Sequence, residues 1–217
     1  MAKQKLLRFA AMPGLANVRQ EPGSLRGRWH AEFFRNDHPI TLELACGKGD
    51  YTVALAQRHP RRNVIGVDIK GARLWVGATR ARDLGLANAG FVRTAIEQLA
   101  EFFAEGEIAE IWITFPDPHP TSSRRKKRLT SPRFLALYRR LLEPGGLIHL
   151  KTDDEALYHY TLLTLAEEGG QVLADLPDLY AQPAASDLHE IQTTYERRHL
   201  AEGKTIKYIR FRLTPPE

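Results

Sequence analysis

Leu42-Glu43-Leu44-Ala45-Cys46-Gly47-Lys48-Gly49-Asp50 decides the fold reading. The apolar run ITLELA at 40–45 reads as a strand, and DYTVALAQRH at 50–59 carries a helical period that stops near Pro60. Gly47 and Gly49 let the chain turn sharply between them and let a ligand approach the backbone. The pattern is Glu-x-Ala-x-Gly-x-Gly, not the dinucleotide Gly-x-Gly-x-x-Gly. Glu43 precedes the turn, where it would repel a pyrophosphate and tolerate a cationic amino acid.

Outward from this turn the same rhythm repeats. NVIGVD at 63–68, AGFVR at 89–93, AEIWITF at 109–115 and GLIHLK at 146–151 read as further strands. GQVLADL at 170–176 gives the sixth strand and KTIKYIRFRL at 204–213 the last. Helical patterns lie between them at 71–84, 96–104, 131–142 (Ser131 as N-cap, Pro132 in the first turn) and about 154–168. Such alternation with short links predicts an α/β fold, a mostly parallel sheet covered on both faces and joined by right-handed crossovers. Residues 1–36 read as a basic N-terminal arm with a short helix around Gly27–Asn36, and 37–217 as the α/β domain.

The 217 residues argue for one domain, large enough to bury a core. One cysteine, Cys46, allows no intrachain disulfide and no cysteine-rich metal site. No apolar run approaches the ~18 residues of a membrane span, and the N-terminus lacks the apolar core of a signal peptide. A cytoplasmic protein without membrane association is expected, as a monomer or weak homodimer. The net charge of +5 is segregated. Residues 119–142 hold eight Lys or Arg and no acid, whereas 153–202 hold eleven acids and two arginines. That pattern favours a polyanionic partner.

Candidate site residues gather at the carboxyl ends of the strands. Asp68 ends the second strand, where a carboxylate can take both hydroxyls of a ribose, equally in NAD or S-adenosylmethionine. Thr94 and Ala95 follow the third strand, where an adenine edge has room, although Thr94 also suits a helix N-cap. The fourth strand ends in Phe115-Pro116-Asp117-Pro118, two prolines stiffening the backbone around one carboxylate. The basic run Arg124-Arg125-Lys126-Lys127-Arg128 follows in the same loop and suits phosphate contacts. Asp153 ends the fifth strand, and Thr193 to Glu196 add acids and hydroxyls able to meet a base edge.

Together these residues resemble the bacterial tRNA (guanine-N7)-methyltransferase family over roughly 38–213. LELACGKG matches its cofactor loop. FPDP at 115–118 followed by KKRLTSPRFL at 126–135 is its most specific pattern, and PGGLIHLKTD at 144–153 and Thr193-x-Tyr195-Glu196 match later motifs. The resemblance implies the Rossmann-like seven-stranded methyltransferase sheet, its last strand antiparallel. It implies transfer of methyl from S-adenosylmethionine, without a metal, to N7 of guanosine 46 in the tRNA variable loop. Carried over by position, Glu43, Gly47, Gly49, Asp68, Thr94 and Asp117 are cofactor contacts, with Asp117 also the catalytic carboxylate. Asp153, Thr193 and Glu196 are guanosine contacts, and Arg124, Arg125 and Lys126 meet tRNA. The chain departs from the family at His119, where Trp is usual, and at Thr121, where a substrate-contacting lysine is usual. Arg124 or Arg125 is the expected replacement for that lysine.

Three other readings are weaker. An NAD-dependent reductase would show Gly-x-Gly-x-x-Gly and a Tyr-x-x-x-Lys pair, and none of the seven tyrosines has a lysine four residues on. A non-catalytic RNA-binding module would have little use for Glu43, Asp68 and the FPDP corner together. A methyltransferase with another RNA target atom is separated only by the resemblance.

Overall fold

The computed structural model describes residues 2–23, 25–181 and 187–214, with side chains from Leu6 onward. Its centre is a sheet of β1 (Val18–Arg19), β2 (Ile40–Leu44), β3 (Asn63–Val67), β4 (Ala89–Val92), β5 (Ile108–Thr114), β6 (Leu142–Thr152), β7 (Gly170–Leu176) and β8 (Lys207–Leu213). The order across the sheet is β1-β4-β3-β2-β5-β6-β8-β7. Neighbours from β1 to β6 run parallel, and β8 lies antiparallel to both β6 and β7.

β2, β3 and β4 have every residue buried, as expected of strands covered on both faces. One face carries Leu42, Leu44, Ile111, Ile113, Ile148 and Leu150 in the larger core. The other carries Trp112 and Tyr208, which pack with Tyr51 in a second core. Covering elements include α2 (Asp50–Arg58), α3 (Gly71–Asp83), α5 (Pro132–Leu141) and α6 (Glu155–Glu167). After β2 the chain builds outward through β3 and β4, then crosses back to lay β5 on the other side of β2. The crevice outside the carboxyl ends of β2 and β5 is therefore the switch point where such sheets bind ligands.

The seven expected strands are present, and an eighth, β1, is added at the edge beside β4. Two residues carry no alternation to read, so β1 is invisible as a pattern. Parts of the stretch before Asp37 reach the core: Met12, Leu15, Val18 and Trp29 are buried, whereas Leu6 and Leu7 are exposed. The indole N–H of Trp29 donates to the Phe102 carbonyl at 2.9 Å. The helix expected around 27–36 is a π-helical turn, Trp29–Phe34, ended by Arg35 in the left-handed region. The helix expected at 96–104 divides into a 3-10 turn, Ile96–Gln98, and α4, Leu99–Phe102. Ser131 precedes α5 as expected, but its hydroxyl donates back to the Lys126 carbonyl at 3.2 Å and caps nothing.

Candidate active site

Two cavities open at the switch point, and Ala45 lines both. The first, about 290 Å³, lies over the ends of β2 and β5 and is floored by Glu43, Gly47 and Thr114, with Asp50, Arg73 and Phe115 around it. Its wall is Thr193, Thr194, Tyr195 and Arg198, from the start of α8 (Thr194–Ala201). The second, about 320 Å³, lies over β3 and β4. There Asp68, Thr94 and Asp117 converge with His119 and Lys127 above an apolar patch of Ile69, Ile96, Leu129 and Phe134. Each cavity sits near the low end of the ~300–1,000 Å³ of ligand pockets, so an elongated molecule would use both.

Glu43 lies beneath the glycine turn, 1% exposed. Its Oε2 accepts from the Thr52 amide at 2.8 Å and the Thr52 hydroxyl at 2.5 Å, and its Oε1 accepts from the Thr114 hydroxyl at 2.9 Å. Burial outweighs these bonds and pushes the carboxyl from the ordinary 4.5 up to about 7. A cation arriving above Glu43 would draw it back toward the ionised form.

The two glycines of the turn do different work. Gly47 has φ +57, and a methyl group there would meet nothing within 4 Å, so its open side faces the space a ligand would fill. Gly49, φ +66, lies against Phe91 and Gly77: an added Cβ would come within 2.8 Å of the Phe91 ring. Gly49 thus lets α3 approach the turn.

Asp68 is buried and holds the turn: Oδ2 accepts from the Gly47 amide at 2.8 Å and Oδ1 from the Lys70 amide at 2.7 Å. A carboxylate has about four acceptor positions, which leaves room for two hydroxyls. Thr94 is buried and its hydroxyl donates to Gln98 Oε1 at 3.2 Å, within its own turn. Asp117 is exposed at the mouth of the second cavity.

Two features of the rim were not legible. Ala45 and Phe115, at the carboxyl ends of the adjacent strands β2 and β5, have φ of 56° and 50°, and His119 has 44°. Left-handed backbone costs about 1–2 kcal/mol in a residue with a side chain. Arg128, the last of the basic run, turns inward. Its guanidinium donates to the Pro118 and His119 carbonyls at 3.0 and 3.2 Å and lies 4.3 Å from the Tyr160 ring centroid. Arg124, Arg125, Lys126 and Lys127 remain exposed on a 3-10 turn, Ser122–Lys127.

A family model described as "Putative methyltransferase" matches residues 37–209. A Porphyromonas gingivalis (strain ATCC BAA-308 / W83) protein named tRNA (guanine-N(7)-)-methyltransferase is 53% identical over 91% of this chain and 81% of its own length. A Christiangramia forsetii protein of the same name is 46% identical over 98% of this chain and 99% of its own. The chain belongs to the tRNA (guanine-N7)-methyltransferase family. The 16S rRNA methyltransferase KamB superposes with a TM-score of 0.66 at 16% identity over 88% of this chain and 95% of its own. A 16S rRNA (adenine(1408)-N(1))-methyltransferase from Catenulisporales acidiphilia, solved with its cosubstrate SAM, gives 0.63 at 22% over 90% and 94%. At those identities the likeness shows the fold alone.

The family's later motifs are placed less simply than the resemblance implied. Thr193 and Glu196 form a capping box at the start of α8: the Thr193 hydroxyl accepts from the Glu196 amide, and the Glu196 carboxylate accepts from the Thr193 amide. Glu196 is 0% exposed and bonded to Lys151 and Tyr180. It is absent from both cavity linings. Asp153 accepts from Lys204 Nζ at 2.9 Å and is absent from both cavity linings. Thr121 is exposed at the start of the basic turn, with Arg124 one helical turn on, its amide bonded to the Thr121 carbonyl. Arg73, Asp50 and Arg198 are cavity residues that no motif marked. Asp50 was the most legible of them, as the first residue after the glycine turn. Among the described residues no group of three or more His, Cys, Asp or Glu is placed to hold a metal ion.

Proposed function

We propose that the chain transfers the methyl group of S-adenosylmethionine to N7 of guanosine 46 in the variable loop of tRNA. The observation that carries this reading is the pair of cavities joined at Ala45, one rich in ribose and purine partners and the other enclosed over a buried carboxylate. The residues fit the cosubstrate. Asp68 has free acceptor positions for a ribose, Ile69, Ile96 and Phe134 offer a plane for adenine, and Gly47 leaves backbone space. Glu43 beneath the turn complements a cationic amino-acid end.

Guanine N7 carries an in-plane lone pair, so no proton must leave before attack. The N7–carbon bond forms as the carbon–sulfur bond breaks, the electron pair goes to sulfur, and positive charge passes to the purine. The protein's task is to align nitrogen, carbon and sulfur in a line, and to place negative charge beside the purine as it becomes cationic. Asp117, held by its flanking prolines and the clamped His119 carbonyl, is the group we assign to that charge. The exposed cations at 124–127 meet the phosphate backbone, which positions tRNA without reading its sequence. Residues 37–217 carry the chemistry, and the basic residues of 1–36 extend the tRNA-facing surface.

The test is mass analysis of nucleosides from tRNA treated with purified protein and S-adenosylmethionine, followed by mapping of the modified position. 7-Methylguanosine at position 46 is expected. Methylation at another guanosine would refute the positional assignment, and methylation at another atom would refute the reaction.

A further inference from the structure

Lys151, on β6, is fully buried, with a relative exposure of 0%. Its ammonium has three protons, and three acceptors surround it: Glu196 Oε1 at 2.5 Å, the Leu188 carbonyl at 2.8 Å and the Ile191 carbonyl at 3.4 Å. All three lie on one stretch of chain, from α7 (Asp187–Glu190) into α8. That stretch lies outside the sheet and supplies Thr193, Thr194 and Tyr195, the wall of the first cavity. In the sheet Lys151 pairs in register with Thr114, whose hydroxyl donates to Glu43 on the cavity floor. One side chain thus ties the floor of the cavity to its wall.

Stability alone does not account for this pair. Two buried charges lose their hydration, and replacing such a pair by apolar residues is often neutral or stabilising. Burial also pulls the lysine below its ordinary range, and only the Glu196 carboxylate opposes that. What the ammonium supplies is direction: three bonds from one point fix where the 187–196 stretch sits.

We propose that Lys151 is a positioning residue for methyl transfer, setting the Thr193–Tyr195 wall against the reacting atoms through Glu196 and the Leu188 and Ile191 carbonyls. It touches no substrate. The proposal rests on the function given above. The outer attachments of the stretch are independent of Lys151: Thr194 bonds Asp50 through both its amide and its hydroxyl, and Arg58 pairs with Asp187 and Glu190. Loss of the lysine should therefore leave the wall attached but poorly placed.

The test compares wild type, Lys151→Met and Lys151→Met/Glu196→Gln in single-turnover methyl transfer at saturating tRNA and S-adenosylmethionine, with cofactor affinity measured by calorimetry and stability by urea unfolding. The double variant removes both buried charges and carries the test if the single variant does not fold. Its rate should fall about 10²-fold, the scale of a 1 Å misplacement, while urea midpoint and cofactor affinity hold. Amides at 194–201 should exchange hydrogen faster in the double variant than in wild type. A wild-type rate in the double variant overturns the proposal. So does a rate loss matched by loss of cofactor binding and stability, which marks a purely structural pair. No transfer by the wild-type protein refutes the function itself, a result distinguishable from either.

Discussion

Glu43→Gln is the perturbation whose size can be worked out from the structure. The wild-type carboxyl titrates at about 7 in the folded protein against an ordinary 4.5. A raised acid favours the folded state while protonated, and the advantage is lost as pH rises. The loss begins at the unfolded value and is complete once pH has passed the folded one. One unit corresponds to 1.36 kcal/mol, so the ionised buried carboxylate costs about 3 kcal/mol above the window, of which about 2 fall between pH 5.5 and 8. Glutamine cannot ionise. Its carbonyl can accept the Thr52 bonds, and its amide can face Thr114, whose hydroxyl can turn to accept.

The assay is urea unfolding of wild type and variant at several pH values. The stability of Glu43→Gln relative to wild type should rise by about 2 kcal/mol between pH 5.5 and 8. Saturating S-adenosylmethionine should shrink that change, because a cation over Glu43 stabilises its ionised form. A difference between the proteins that does not vary with pH would refute the assignment of a neutral buried acid. A difference that varies but ignores the cofactor would remove Glu43 from the cofactor site.

Asp68→Ala should weaken S-adenosylmethionine binding, each charge-assisted bond to the ribose being worth about 1.5–3 kcal/mol; calorimetry with unchanged affinity would exclude the contact. Replacing Arg124, Arg125 and Lys126 with alanine should weaken tRNA binding and reduce its salt dependence by up to ~0.9 per lost duplex phosphate contact, leaving cofactor affinity unchanged in a titration series across salt. Asp117→Asn should slow single-turnover transfer about 10²–10³-fold at saturation, and a wild-type rate there would strike it from the catalytic residues. Arg128→Lys cannot reproduce the planar fork on Pro118 and His119, so it should lower the saturated rate while tRNA affinity, carried by the exposed cations, holds; the reverse split would make Arg128 a docking residue.

The parallel sheet was legible because strands covered on both faces are near-continuous apolar runs, and VIGV at 64–67 and IWI at 111–113 hold no polar side chain. The candidates Glu43, Gly47, Asp68 and Asp117 were legible for a related reason: each lies at or just past the carboxyl end of a strand, and strand ends follow from strands. Glu196 was placed by motif, but its partners within the fold were not legible. The sequence shows an acid three residues after a threonine, which is a capping box as readily as a substrate contact, and the deciding partner, Lys151, lies 45 residues away. Arg128 was hidden differently. Within RRKKR all five side chains have the same charge, and only the loop's path shows that Arg128 turns inward onto the Pro118 and His119 carbonyls.

Backbone strain left no trace in the sequence, yet it says most about how the site works. Four non-glycine residues among those described have positive φ, and three of them, Ala45, Phe115 and His119, lie on cavity linings. Each of the three is clamped at or beside the strained residue. The Cys46 amide bonds the Val67 carbonyl at 3.0 Å, the Phe115 amide bonds the Lys151 carbonyl at 2.8 Å, and the His119 carbonyl is held by Arg128. Glycine would relieve the strain but forfeit what the side chains do: Ala45 packs against one core, and Phe115 packs against the other and stacks on His199. Such strain persists only where the surroundings over-determine it. The rim from β2 to the FPDP corner is thus fixed before any ligand arrives, as expected where alignment does the work of catalysis. The 187–201 wall has no such backbone constraint. Its place depends on side-chain bonds to Lys151, Asp50 and Arg58, so the wall is the part of the site that a substitution remote from the chemistry can move.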